Sequence, residues 1–374
     1  MNKVGIITIH RINNYGSVLQ AYALQRACEE LGYKAKIIDY CFPNGFHAHN
    51  RYATATDSQP NEPTWIKALF ALALKRQHKG IGAFVKRYQH LSEKQYHLPD
   101  ELKKDAPVYD VYITGSDQLW NPRHCNGDPS FMLHFAPDNA VKMSYAASIG
   151  TNEIPEELLP LYKELLGRYS KIAVREKSGI EVIRNLTGKE AAVVLDPTLL
   201  LDSKQWNEIA KNKRPFKGKY ILCYFLNYSF NAFPYVDDLA REMQKQTGYE
   251  IVRVARPPHY LGEPRTHYRV GASPEEFLSL VRDSEMVLTT SFHGTAFAVN
   301  YGKPVLTVVK DRNASDSRQV SLMESLGLND QIITIQDPLT NASQAQYDVE
   351  KEQTRLSKLR ESSLDYLRKA LSNE

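Results

Sequence analysis

The feature that most limits what this chain can fold into is an alternation of short β-branched apolar runs with amphipathic helical stretches, met twice along its length. Residues 4–9 read VGIITI, a compact strand-like run. A polar loop covers residues 10–17. Leu19, Tyr22, Ala23, Ala27 and Leu31 then recur at helical spacing, and Gly32 closes the segment as a helix-terminal glycine does. Residues 35–38 read as the next strand, which completes a βαβ unit, the crossover that parallel strands require. The pattern breaks over residues 41–107, which are aromatic, His-rich and basic, and are expected to form an insertion of loops and one or two helices. It resumes with strands at 108–114, 141–147, 171–174 and 191–195, the last ending at Asp196-Pro197, and with helices at 155–169 and 178–186.

A second series follows. Strands are expected at 220–226, 250–254, 286–288 and 305–308, and a helix at 233–247. Ser273-Pro274-Glu275-Glu276 is a helix start, with Ser as the cap, Pro at the first position and Glu three residues after the cap. Residues 350–371 read as a charged amphipathic helix. The fold class is therefore α/β, with two Rossmann-like domains facing across a cleft. The expected domains are 1–200, carrying the insertion at about 41–107, and 201–340. Residues 341–374 would be a C-terminal helix packing back on the N-terminal domain. Ligands in such sheets bind beyond the carboxyl ends of the strands.

Composition narrows the field. The 374 residues suit about two ordinary domains, and 42% apolar with 24% charged residues excludes a disordered chain. Net charge is +4, but residues 64–90 hold six basic side chains (Lys67, Lys75, Arg76, Lys79, Lys86, Arg87) and no acidic one, so the rest carries −2. So local an excess is not the spread charge of a nucleic-acid binder, and no nucleic-acid partner is expected. Cys28, Cys41, Cys125 and Cys223 lie far apart without zinc or redox spacing, as expected for reduced thiols in a cytoplasmic protein. No signal-peptide pattern or membrane-length apolar run occurs. The remaining histidines, among them His47, His49, His78, His90 and His97, show no metal-ligand spacing. His259 and His267 flank Arg256 and Arg265 in a Pro-rich loop that reads either as a substrate flap or as a solvated loop.

Four strand-end segments carry candidate chemistry. Asn14, Tyr15, Gly16 and Ser17 begin the first helix, where free backbone N–H groups can meet an anion or a sugar hydroxyl; a plain Asn/Ser cap explains them as well. Ser116, Asp117, Gln118 and Trp120 follow the strand at 108–114. A carboxylate, an amide and an indole suit a sugar, and an Asp cap in front of a buried Trp is the equal alternative. Arg175 and Lys177 end a strand just before a helix and would converge on one anion, the alternative being a surface Arg175–Glu176 pair. Last, Thr289 to Thr295 (TTSFHGT) place His293 in a tight loop among hydroxyls. There His293 would act in acid–base chemistry, with Ser291, Gly294 and Thr295 holding an anion beside it.

Taken in order, these segments resemble the polysaccharide pyruvyl transferases. The matching stretches are GIITIHRINNYGSVLQAYAL at 5–24, ITGSDQLWNP at 113–122, SYAASIG at 144–150, VREKSG at 174–179, VVLDPTLLLD at 193–202 and TTSFHGTAFAVNYGKPVL at 289–306. The resemblance implies two Rossmann-like halves similar to the GT-B glycosyltransferases. It also implies transfer of the pyruvyl unit of phosphoenolpyruvate to two hydroxyls of a sugar, giving a cyclic ketal and phosphate. No metal or other cofactor is implied, since phosphoenolpyruvate is a co-substrate. On this reading His293 is the general acid and Asp117 either deprotonates the attacking hydroxyl or orients the sugar. The donor would meet Arg175, Lys177, Ser291, Gly294 and Thr295, with Arg318 of Asp316-Ser317-Arg318 a second cation. The acceptor would meet Asn14, Tyr15, Gly16, Ser116, Gln118 and Trp120. Some members carry Arg two residues before the histidine; here Ser291 stands there, so part of the donor's charge must be met elsewhere. The acceptor would be a nucleotide-, lipid- or polymer-linked sugar of a surface polysaccharide. Competing expectations are a nucleotide-sugar glycosyltransferase of related fold and a non-catalytic carbohydrate binder. The apolar Trp65, Ile66, Leu69, Phe70 and Leu72 to Leu74 before the basic cluster suggest a peripheral contact at the inner face of an anionic membrane; an ordinary packed helix is the simpler alternative.

Overall fold

The computed structural model describes residues 2–48, 50, 64–226, 230–255, 261–314 and 317–372. The expectations placed on His49, Arg256, His259 and Asp316 lie outside these residues.

The first series folds into a parallel five-stranded sheet of order β3-β2-β1-β4-β5. Its strands are β1 (Lys3–Ile7), β2 (Lys34–Tyr40), β3 (Leu91–Tyr96), β4 (Val111–Thr114) and β5 (Val141–Ser144). β1 lies at the centre because its side chains from Val4 to Ile7 are all buried, and it pairs with β2 on one side and β4 on the other. Two short parallel strands, β6 (Ala173–Val174) and β7 (Ala192–Val193), continue this layer through the bridges Met143–Lys171 and Ala147–Val174.

A second parallel sheet holds β8 (Tyr220–Tyr224), β9 (Glu250–Val254), β10 (Thr266–Arg269), β11 (Met286–Thr289), β12 (Val305–Val309) and β13 (Ile332–Thr334). Its order is β10-β9-β8-β11-β12-β13. Both sheets therefore reverse direction beside their first strand, between β1 and β4 and between β8 and β11. That switch point is where a doubly wound sheet opens a crevice.

Three strands depart from the sequence reading. β3 lies inside the stretch expected to hold loops and helices, β10 inside the Pro-rich loop, and β13 beyond the last expected strand. All three are sheet edges. LSEKQY and THYR lack an apolar run because an edge strand needs no second neighbour. The strand expected from Val108 begins at Val111, and Val108 itself is exposed.

The two sheets share one core. Tyr15, Val18 and Leu19 of the first helix (Tyr15–Glu30) pack in one apolar cluster with Tyr220, Phe277 and Phe297 of the second half. Tyr15 stacks on Phe277 at 4.6 Å between ring centroids. The C-terminal helix, Val349–Ser372, crosses both halves. Leu356 joins the shared core, while Leu367, Ala370 and Leu371 pack with Val4 and Ile6 of the first sheet and Leu24 of the first helix. Among the described residues no helix is long and apolar enough to cross a membrane.

Candidate active site

The carboxyl ends of β1, β4, β11 and β12 open into one cavity of about 580 Å³, lined by residues of both halves. Its size suits a small-molecule site. Asn14, Ser17, Asp117, Gln118 and Gly150 come from the first half, and Ser291, His293, Lys310 and Arg318 from the second.

His293 is held by the start of a helix. The tight loop expected from sequence is in fact the first turn of Phe292–Asn300, and Ser291 caps it by accepting from the N–H of Gly294. That cap orients the imidazole toward the first half. Its Nδ1 faces Gly16, where a Cβ would stand 2.0 Å away, so only glycine admits the ring. Its Nε2 lies 3.6 Å from Oδ2 of Asp196, an ion-pair distance beyond hydrogen-bond reach, and has no hydrogen-bond partner.

Asp196 is fully inside, at the end of the segment following β7. It accepts from Arg175 at 2.7 Å and Ser116 at 2.8 Å, and from both the N–H and the hydroxyl of Thr198. Burial alone would raise its carboxyl. His293, Arg175 and the Thr198 hydrogen bonds outweigh that and hold it far below the usual carboxylate range.

Asp117 follows β4 with a backbone φ of 85°, a left-handed conformation that a residue with a Cβ rarely adopts. Oδ2 accepts from the Ser17 hydroxyl at 2.6 Å. Burial would raise this carboxyl also, but the charges of Arg175 and His293, then the Ser17 hydrogen bond, keep it below its ordinary value. Arg318 opens a helix capped by Ser317, Arg318–Leu326. Protein crowds its guanidinium on most sides while part of its surface stays open to the cavity. Burial, then the like charge of Arg175, lowers it to about 10. Both guanidinia lie against the Phe292 ring, Arg175 at 4.6 Å and Arg318 at 5.9 Å from its centroid.

Several sequence expectations need correction. Trp120 is fully buried and donates its indole N–H to the Phe131 carbonyl, so no ring face is offered to a sugar. Tyr15 is buried against Phe277, its hydroxyl donating to Ala272 O, and so belongs to the core between the halves. Ser116 is buried beneath the site on Asp196. Lys177 does not converge with Arg175, but turns outward to Glu324 at 3.6 Å. Arg175 itself is 5% exposed and is not among the cavity's lining residues, whereas Arg318 and Arg123 both line it. Glu176 forms no surface pair. Buried, it accepts from Ser148 Oγ and from the N–H groups of Ile149 and Gly150. Gly294 and Thr295 serve packing. A Cβ on Gly294 would meet Thr289 Oγ1 at 2.3 Å, and the Thr295 hydroxyl is shared with Ser291 O and Thr307. Gly16 contributes room for His293. Asn14 both caps its helix and lines the cavity, and Gln118 lines the cavity too.

The sequence reading noted Asp196-Pro197 as a strand end without assigning it a task. Its place beyond a strand's carboxyl end, where ligands bind in such sheets, is the available signal. Ser17 and Asn121, both within the matching stretches, also line the cavity, as do Arg123, Phe230, Lys310 and Gln319, which no motif marks. Among the described residues, no group of three or more His, Cys, Asp or Glu side chains is arranged to hold a metal ion.

A family model described as polysaccharide pyruvyl transferase matches residues 14–311. Comparison with curated protein sequences gives no match. Among solved structures, a UDP-GlcNAc 2-epimerase from Methanocaldococcus jannaschii in complex with UDP-GlcNAc and UDP is similar over 100% of both chains, with a TM-score of 0.53 and 13% identity. A putative UDP-N-acetylglucosamine 2-epimerase from Listeria monocytogenes gives 0.52 at 13% identity, covering 98% of this chain and 90% of its own. The UDP-GlcNAc 2-epimerase from Neisseria meningitidis bound to UDP-GlcNAc gives 0.51 at 9% identity over 100% of both chains. At such identities the likeness concerns the fold, two Rossmann-like halves of the GT-B kind.

Proposed function

The chain belongs to the polysaccharide pyruvyl transferase family, and from that premise we propose that it moves the pyruvyl unit of phosphoenolpyruvate onto two hydroxyls of a sugar, forming a cyclic ketal and releasing phosphate. The observation that carries this reading is the meeting of His293, Arg318 and Asp117 in one cavity built by both halves. Phosphoenolpyruvate brings a carboxylate and a phosphate. Arg318 and the amino end of the His293 helix supply positive charge for them, and Arg318 offsets the Ser291 found where some members carry Arg.

Each step moves one proton. Protonated His293 delivers its proton to the methylene carbon, which becomes the methyl group and leaves C2 electrophilic. A sugar hydroxyl adds to C2 and gives its proton to Asp117. The C2–O bond to phosphate breaks, and the second hydroxyl closes the ring as its proton leaves with the phosphate. Asp196 stays ionised throughout and keeps a negative charge beside His293.

The test supplies phosphoenolpyruvate with a panel of nucleotide- and lipid-linked sugars. Phosphate should appear together with an acceptor mass gain equal to pyruvate less water. His293→Ala should abolish turnover while circular dichroism is unchanged; an unaltered kcat would remove His293 from the mechanism. Release of a nucleoside diphosphate from a nucleotide sugar, with no need for phosphoenolpyruvate, would make the chain a glycosyltransferase instead. Saturable sugar binding with no turnover of any donor would make it a carbohydrate binder.

A further inference from the structure

Four large apolar side chains are more than half exposed among the described residues, and three of them sit within eight residues: Trp65 at 59%, Leu69 at 63% and Leu72 at 83%. They lie on a short helix, Thr64–Leu69, and at the start of the next, Ala71–Tyr88. A turn at Phe70 separates the two, bridged by Phe70 N–H to Ile66 O and Leu74 N–H to Phe70 O. At 3.6 residues per turn, the spacing 65, 69, 72 puts the three on one side. Continuing that side brings Arg76, Lys79, Lys86 and Arg87 into the same arc of about 100°, with exposed Lys75 at its border.

The inner face of these helices is already satisfied. Ile66, Ile81 and Phe84 are buried, and Gln77 bonds to Tyr15 and Asn13, next to the cavity residue Asn14. Core packing therefore does not account for the outer apolar group. No acidic residue lies between 64 and 90. Of the basic side chains there, Arg76 pairs with Glu276 across the fold, while Lys75, Lys79 and Lys86 extend from exposed positions.

We infer that this face docks on an anionic lipid bilayer, with Trp65, Leu69 and Leu72 entering the headgroup layer and the lysine stripe lying over the lipid phosphates. Trp and Leu at the tip of a helix followed by a basic stripe is the chemistry of an interfacial helix. Charge complementarity selects this occupant over a second copy of the chain, because two such stripes brought face to face repel each other. The inference is independent of which reaction the cavity performs.

Co-sedimentation with phosphatidylcholine vesicles, with and without phosphatidylglycerol, tests it at low and high salt. The full chain should pellet with the anionic vesicles at low salt, and about tenfold less with neutral vesicles or at high salt, where surface charges are screened. Trp65→Ser/Leu69→Ser/Leu72→Ser should lose about tenfold in partitioning while keeping the native circular dichroism. Lys75→Glu/Lys79→Glu/Lys86→Glu should lose the dependence on anionic lipid. Failure of the full chain to pellet with anionic vesicles at low salt overturns the proposal, as does unchanged binding by the apolar triple variant. Self-association in sedimentation velocity that the same variant abolishes would instead assign the face to a second copy.

Discussion

With Arg175 at 2.7 Å and His293 at 3.6 Å, the buried Asp196 carboxylate is the charge on which the neighbouring side chains depend. Removing one partner of a buried pair leaves the other charge uncompensated, so Asp196→Asn should cost about 3–5 kcal/mol in urea unfolding at neutral pH. Acid supplies a second signature. Asp196 and Asp117 are both held below the ordinary value of 3.8. Their contribution is complete above that unfolded value and is lost as pH falls through the folded values, because the unfolded chain then binds the protons. Wild-type stability should therefore fall steeply below about pH 4, and Asp196→Asn should fall less steeply; parallel curves would refute this account of Asp196. At the cavity surface, Arg318→Gln should raise KM for phosphoenolpyruvate about tenfold or more with an unchanged melting temperature, as initial-rate kinetics would show. At this scale the sequence marked His293, Asp117 and Arg318, whose types announce chemistry. It also put Trp120 and Lys177 at the site, because residue type does not say which way a side chain turns.

The helix Phe292–Asn300 shows how an element sets the site. Its first turn carries His293, its Ser291 cap fixes where that turn begins, and the first helix brings Gly16 against the ring. Gly16→Ala should push the imidazole or separate the two helices, and a displacement of about 1 Å is enough to cost about 100-fold in kcat. Steady-state kinetics beside a thermal melt checks this, since the chain should stay folded while turnover falls. The sequence reads TTSFHGT as a tight loop, whereas the Ser291 cap draws its second half into the first turn of the helix. The βαβ alternation identified the central strands, whose two buried faces demand apolar runs. β3 and β10 escaped notice because an edge strand is specified mainly by its partner's backbone.

Across the whole molecule, the two halves are joined by a common core that includes Tyr15, Phe277, Trp206 and Phe297. A chain of two separate domains would unfold in two steps, whereas this one should show a single calorimetric transition. Tyr15→Ala should lower its stability by about 3–5 kcal/mol while leaving it single; two resolved peaks would show that the halves are not coupled. The sequence by itself determined the α/β class and the two successive series of parallel strands, because periodicity and helix caps are local and each segment carries its own signal. It also determined which motifs stand at strand ends. Only the tertiary structure decided which of them meet. Arg175 went to Asp196 and Lys177 to Glu324 although they are two residues apart, while Asp117 and His293 came to one cavity from opposite halves. That choice depends on desolvation and on distances across the shared core, quantities that no single segment contains.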